Sequence, residues 1–271
     1  MISLKPSKPQ RIICMTEETT ETLYRIGADE LIVGITEYTV RPPRAKLEKP
    51  VISRYLDADI DSILNLKPDI VLAWSDLQAD IVRELIKKGI EVYCFNHRSV
   101  EGILSMILKL GSLVGYESQA VKLTDELITN IRIAESESQN LKYRPKVYFE
   151  EWFSPLITGI CWVSEIIEIC GGVDVFSENR VHQDAKGRIL ENDSEVIRRN
   201  PDIMLASWCG KPFRKNTVLK RKGWNEINAV KNDAIYDIDA GIILQPGPAT
   251  LSDGINIIKR IVQNHQGINK K

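Results

Sequence analysis

Few side chains in this sequence have the type and spacing to do chemistry. The three histidines, His97, His182 and His265, stand far apart, and no two share the i, i+4 spacing of one helix face. A zinc centre needs three or four converging N, S or O donors, so no protein-held metal is expected. The five cysteines, Cys14, Cys94, Cys161, Cys170 and Cys209, include no C-x-x-C pair. Four lie in apolar stretches, where a free thiol behaves as a small hydrophobe. Their odd number is read as five reduced thiols. Cys209, in Ser207-Trp208-Cys209-Gly210-Lys211, is the one that a neighbouring cation, Lys211 or Arg214, could activate. A small residue at the rim of a site is the simpler reading. Glu150-Glu151 could do acid–base work, but adjacent strand residues point to opposite faces. There is no G-x-S-x-G elbow, no G-x-G-x-x-G turn and no G-K-[ST] phosphate loop. An enzyme using Glu151 or Cys209 is therefore the lesser alternative.

The aromatic residues say more. Trp74, Trp152, Trp162 and Trp208 fall at or just after predicted strand ends, as does Tyr38. Tyr55 lies in the connection before a short helix. Tryptophan and tyrosine present flat apolar faces with one polar handle, which suits a large ring ligand. The competing reading is that they only seal the edges of a core.

The elements that must position these residues occur twice. Pro68-Asp69-Ile70-Val71-Leu72-Ala73 recurs as Pro201-Asp202-Ile203-Met204-Leu205-Ala206. Arg11-Ile12-Ile13-Cys14 is matched by Lys146-Val147-Tyr148-Phe149, Gly27 by Gly171, and Val92-Tyr93-Cys94-Phe95 by Ile235-Tyr236-Asp237-Ile238. Paired elements at nearly constant offset predict two similar α/β lobes. In the first, strands are expected at 11–15, 31–35, 70–74 and 92–95, with helices between them. The stretch 117–140 lacks Gly and Pro and carries Val121, Leu123, Leu127, Ile128 and Ile131 at helical spacing. It reads as one long helix. The expected division is a lobe over 1–115, a linking helix over 116–142 and a second lobe over 143–271. Alternating strands and helices imply mostly parallel sheets covered on both faces. Ligands of such sheets lie beyond the carboxyl ends of the strands, and facing lobes place a ligand cleft between them.

Composition removes other classes. A net charge of −1 lacks the electrostatic footprint of a nucleic-acid binder. No apolar run approaches the length of a membrane span, so no membrane insertion is expected. Met1-Ile2-Ser3-Leu4-Lys5-Pro6 has no apolar signal-peptide core. With the thiols, this predicts a cytoplasmic protein, or a periplasmic or surface-anchored one if a leader has been removed.

Several segments together resemble a known family. Val33-Gly34-Ile35-Thr36 followed by Pro42-Pro43, Leu66-Lys67-Pro68-Asp69-Ile70-Val71, and Ile169-Cys170-Gly171-Gly172 are similar to the class III substrate-binding proteins of ABC importers, the cobalamin and ferric-siderophore group. Tyr148-Phe149-Glu150-Glu151-Trp152 with Pro155-Leu156-Ile157-Thr158-Gly159, and Gln245-Pro246-Gly247-Pro248, are most like its cobalamin-binding branch. The resemblance covers residues 10–262. It implies two Rossmann-like lobes joined by a rigid helix, with a non-enzymatic ligand site and no covalent cofactor. Cobalamin or a related corrinoid is the implied ligand; a ferric siderophore or haem is the alternative. The implied contacts are Tyr38, Tyr55 and Trp74 in the first lobe. In the second they are Ile157, Trp162 and Gly241-Ile242, and the residues after the strand ends, Trp152, Trp208 and Gln245, join them as candidate ligand contacts. A tryptophan that the family carries near Arg188 is absent. Where the family places a surface glutamate on each lobe for docking to the permease, this sequence has Asp61, and Ser194 with Glu195 beside it.

Overall fold

The computed structural model describes residues 7–54 and 57–265, so Tyr55 lies outside the described residues. The chain forms two compact units, Met1–His97 with Glu101–Leu127 and Arg98–Val100 with Ile128–Lys271. Each is α/β with a largely parallel sheet.

The first unit runs β1 (Ile12–Cys14), α1 (Glu17–Arg25), β2 (Ile32–Thr36), α2 (Ala45–Glu48), β3 (Val51–Ser53), α3 (Ile60–Asn65), β4 (Ile70–Trp74), α4 (Ala79–Lys87), β5 (Val92–Phe95) and α5 (Val100–Val114). Its five strands are all parallel, in the order β3-β2-β1-β4-β5. The central strands are apolar on both faces, as a doubly covered sheet demands. Ile13, Met15 and Val71 pack with Ile52, Ile63 and Leu85. The long connection expected after β2 contains α2 and the edge strand β3, neither of which has enough periodic residues to announce itself.

Next comes α6 (Glu117–Ser138), uninterrupted. Its buried face is Ala120, Leu123, Leu127, Ile131 and Ala134, spaced three and four apart. Val121, read as part of that face, is instead 48% exposed. Helix α5 approaches it closely: a Cβ on Gly111 would stand 2.3 Å from the Cβ of Ala120. The division between the units falls inside α6, at Leu127 and Ile128.

The second unit runs β6 (Lys146–Phe153), β7 (Leu156–Thr158), α7 (Cys161–Ile169), β8 (Val173–Asp174), α8 (Ser194–Arg199), β9 (Ile203–Ala206), α9 (Lys215–Leu219), α10 (Asn228–Lys231), β10 (Ile235–Asp237), α11 (Ala240–Ile243) and α12 (Ile255–His265). Its order is β10-β9-β6-β7, with β8 also on β6. The hairpin β6–β7 is antiparallel, which the repeat did not foretell. Tyr148, Met204, Val218 and Trp224 centre its core. Gly171, which ends α7, has φ +87°, and a Cβ there would meet Leu141 at 2.5 Å.

The repeat corresponds to a shared sheet plan. Strands β1, β4 and β5 are neighbours in one sheet as β6, β9 and β10 are in the other. The duplicated Pro-Asp has one task in both. Asp69 Oδ2 accepts the backbone N–H groups of Gln10 (2.7 Å) and Arg11 (2.9 Å). Asp202 Oδ2 accepts the N–H of Lys146 (2.9 Å) and the hydroxyl of Tyr143 (2.6 Å). Each aspartate also donates its own N–H, at 2.8 Å, to a carbonyl of the first strand's leading residues, Arg11 or Lys146. These pins close the amino ends of both sheets.

Candidate functional site

The carboxyl ends of the strands carry the residues singled out in the sequence. In the first unit, β1 runs into Thr16 and the start of α1, where Glu17 and Glu18 of the first turn and Glu21 of the next are all buried. The Thr16 hydroxyl donates to Glu18 at 2.5 Å. Burial pushes Glu18 up to about 7, opposed by that hydrogen bond and reinforced by the charge of Glu21. Tyr38, past β2, is 47% exposed. Its ring and hydroxyl have no partner among the described residues. Trp74, the last residue of β4, is only 8% exposed. Its indole N–H donates to the His97 carbonyl (3.2 Å), and its ring meets His97 edge-on at 6.3 Å. Its backbone N–H is held by the Gln78 side chain (3.0 Å), which also bonds the Met15 carbonyl (3.3 Å). Trp74 therefore offers an edge to a ligand and not a free stacking face.

In the second unit, neither carboxylate of Glu150-Glu151 is available as an acid or base. Glu150 is fully buried and accepts two bonds from Arg221 (2.6 and 2.9 Å), one from the Trp208 indole (3.0 Å) and one from the Tyr148 hydroxyl (3.0 Å). Burial first, then the Glu150 charge, holds the Tyr148 hydroxyl well above its ordinary pKa. Glu151 is bidentate to Arg188 (2.5 and 3.1 Å), which is itself 2% exposed and donates to the Thr158 carbonyl (2.5 Å). A buried carboxylate persists as an anion only with such partners. Arg188 thus has a structural role, locking β6 to the segment after β7.

Two expected contacts prove to be core. Trp162, on α7, is 2% exposed and donates to the Ile243 carbonyl (2.9 Å). Trp208 is 4% exposed, with Phe153 against one side (4.4 Å between centroids, 35°) and Phe213 edge-on (4.9 Å, 67°). Their indoles are satisfied internally, which is why the polar handle gives no sign of burial in sequence. What remains open above Trp208 is an aromatic platform. Trp152 and Phe153 lie 4.9 Å apart at 39°, both partly exposed, with Phe213 beside Trp208. The Lys211 ammonium sits 5.1 Å from the Trp152 ring centre and 5.5 Å from that of Phe153. Phe153 and Phe213 went unread in the sequence; their signal was proximity to Trp152 and Trp208.

Ile157 is partly buried opposite Trp152 on β7 and also bridges to Ile189. Ile242, on α11, and Gln245 just beyond are likewise partly buried. The Gln245 carbonyl accepts from Gly247 N–H (2.7 Å) and the Thr250 hydroxyl. Asp61, in the first turn of α3, is exposed. Ser194 is exposed too, but Glu195 is already bound by Arg198 (2.7 Å) and approached by Arg199 (3.6 Å).

Among the described residues no three His, Cys, Asp or Glu side chains cluster as metal ligands, and no helix is long and apolar enough to cross a membrane. Among the described residues no two cysteines are joined by a disulfide. Burial pushes Cys14 and Cys170 up to about 12 and Cys161 up to about 11. Cys209 is exposed on the loop after β9.

A profile of the family described as "Periplasmic binding protein" matches residues 12–241. An uncharacterized ABC transporter substrate-binding lipoprotein of Bacillus subtilis, YvrC, is 25% identical over 89% of this chain and 76% of its own length. A vitamin B12-binding protein of Vibrio cholerae is 26% identical over 91% of this chain and 87% of its own. The solved structure of the periplasmic heme-binding protein RhuT from Roseiflexus superposes with a TM-score of 0.81 at 18% identity, covering 96% of this chain and all of that one, a likeness of fold. These matches overturn the cytoplasmic location expected from the thiols: the family is periplasmic and the Bacillus relative is a lipoprotein. Thiol count misled because buried cysteines such as Cys14 and Cys170 serve as packing and report nothing of redox compartment.

Proposed function

Because the chain belongs to the periplasmic binding protein family, we propose that it captures a bulky ring ligand of the cobalamin type and presents it to an ABC importer. It is a substrate-binding protein, not an enzyme. The observation that carries the ligand reading is the open platform of Trp152 and Phe153, backed by the fixed Trp208. Flat apolar rings of this size suit a large macrocycle better than a small polar solute. Within the first unit by itself, Tyr38 and the edge of Trp74 form a separate aromatic rim. Vitamin B12-binding relatives aligned over nine-tenths of the chain support the same choice. For docking to a permease, Asp61 is the exposed acid; Glu195 is neutralised by Arg198 and offers less.

One observation favours a second reading. Tyr38 has an exposed hydroxyl with no partner among the described residues, and a tyrosine phenolate is an established axial ligand of haem iron. A ferric siderophore would use the same aromatic surfaces. Absorption spectra of the purified protein, recorded after incubation with cyanocobalamin or haemin and removal of free ligand, separate these cases. A retained corrin spectrum supports the main reading. A haem spectrum that changes in Tyr38→Phe selects the second. Retention of neither ligand refutes the cobalamin and haem readings and leaves the ferric siderophore.

A further inference from the structure

We propose that Lys211 is an anion-recognising residue, which takes an acidic group carried on the periphery of the ring ligand; this rests on the ring-ligand reading above. Three observations lead to it. First, Lys211 is exposed, and its ammonium lies over two aromatic rings at once, Trp152 and Phe153. Two rings attracting one ammonium favour a single position for it. Second, that ammonium has no carboxylate partner among the described residues. Several other cations of the second unit are spoken for: Arg188 by Glu151, Arg221 by Glu150, Arg198 by Glu195 and Lys215 by Asp233. Third, the surrounding loop is cationic throughout. Residues 209–223 contain no Asp or Glu, and with Lys215 and Arg221 neutralised by Asp233 and Glu150 they still hold Lys211, Arg214, Lys220 and Lys222, in a chain whose net charge is −1. A cavity of about 460 Å³ opens there, lined by Arg214, Lys215, Asn216, Thr217 and Lys220, again without an acid.

An exposed lysine usually does no more than keep a surface wet. This one differs in being placed by two rings and in belonging to a local surplus of positive charge. A ligand that lays its macrocycle on Trp152 and Phe153 brings its rim substituents to the ammonium. An anionic substituent there gains a charge-assisted contact whose positioning the rings have already provided. The shared chemistry is an anion on the edge of a flat ring. A corrinoid supplies it as the phosphodiester of its nucleotide arm, and a haem as its propionates.

The test compares probes that carry this anion with probes that lack it. Dissociation constants are measured for cyanocobalamin against dicyanocobinamide, which lacks the phosphodiester, and for haemin against its dimethyl ester. Wild type, Lys211→Met and Lys211→Arg are compared; Met keeps an apolar stem on the rings without the charge. The expected result is a loss of about 3- to 10-fold for the anion-bearing member of the pair that binds, with the anion-free member within about 2-fold, and recovery in Lys211→Arg. The pair that shows the effect identifies the source of the anion. Equal losses on both members, or no loss on either, overturn the assignment of Lys211 and leave the ring-ligand reading standing. Failure of wild type to bind any of the four probes overturns the ring-ligand reading, and this assignment with it.

Discussion

Replacing Glu18 with Gln is expected to change how stability depends on pH. Glu18 is 1% exposed in the first turn of α1, beside the carboxyl end of β1. A helix amino terminus favours a carboxylate, but burial outweighs it and raises the group from 4.5 to about 7. Between these values the folded protein keeps a proton that the unfolded chain has released. Stability therefore falls as pH rises through this window, and the gap from 4.5 to 7 corresponds to about 3 kcal/mol lost once the carboxyl is ionised. Glutamine keeps the shape and leaves an acceptor oxygen for the Thr16 hydroxyl, while removing the charge. The assay is urea unfolding of wild type and Glu18→Gln at steps across this range. The variant's advantage should be near zero where the wild-type carboxyl is protonated in both states. It should grow to about 3 kcal/mol by about pH 8. A flat difference, or one that grows toward acid, would show that Glu18 is hydrated or paired in the folded protein and refute the reasoning.

Arg221→Met should destabilise by about 3–5 kcal/mol in chemical denaturation, because it strands the buried Glu150 charge. The double change with Glu150→Gln should recover part of that loss, and equal losses would deny the coupling. Trp74→Ala should cost about 3–5 kcal/mol, since the ring is buried against His97. A melting temperature that does not move would return Trp74 to the surface. Gly111→Ala should cost about 1–3 kcal/mol by overpacking α5 against Ala120. Adding Ala120→Gly should restore much of it, which unfolding of the single and double variants would check.

The sheet plan was legible because parallel buried strands write themselves as apolar runs, and the Pro-Asp repeat marked the same position twice. Strand β5 was read at its observed bounds, Val92–Phe95. The hairpin strand β7 and the short β3 were not legible, having three residues each and no alternation to display. The site was read less well. Trp162, Trp208 and Trp152 look alike in sequence. Their exposure is decided by partners far along the chain: Ile243, 81 residues from the first, and Glu150, 58 residues from the second. The pairing of Glu150 with Arg221 and of Glu151 with Arg188 spans 71 and 37 residues. No local pattern encodes such a distance, so residues that looked like chemistry turned out to be scaffolding.

The paired aspartates bear on how such a chain can change over time. Asp69 and Asp202 fasten the two sheets at the ends away from the aromatic rims. At the opposite ends Gln78 ties Trp74 to Met15 and Glu150 ties β6 to Trp208, but the loops beyond those ties can be rewritten without disturbing strand order. A lineage built this way can exchange one cargo for another by altering a few rim residues while its architecture persists at about one identical residue in four. Cargo and scaffold then evolve at separate rates, and grafting the 208–215 loop between relatives becomes a practical route to new specificity.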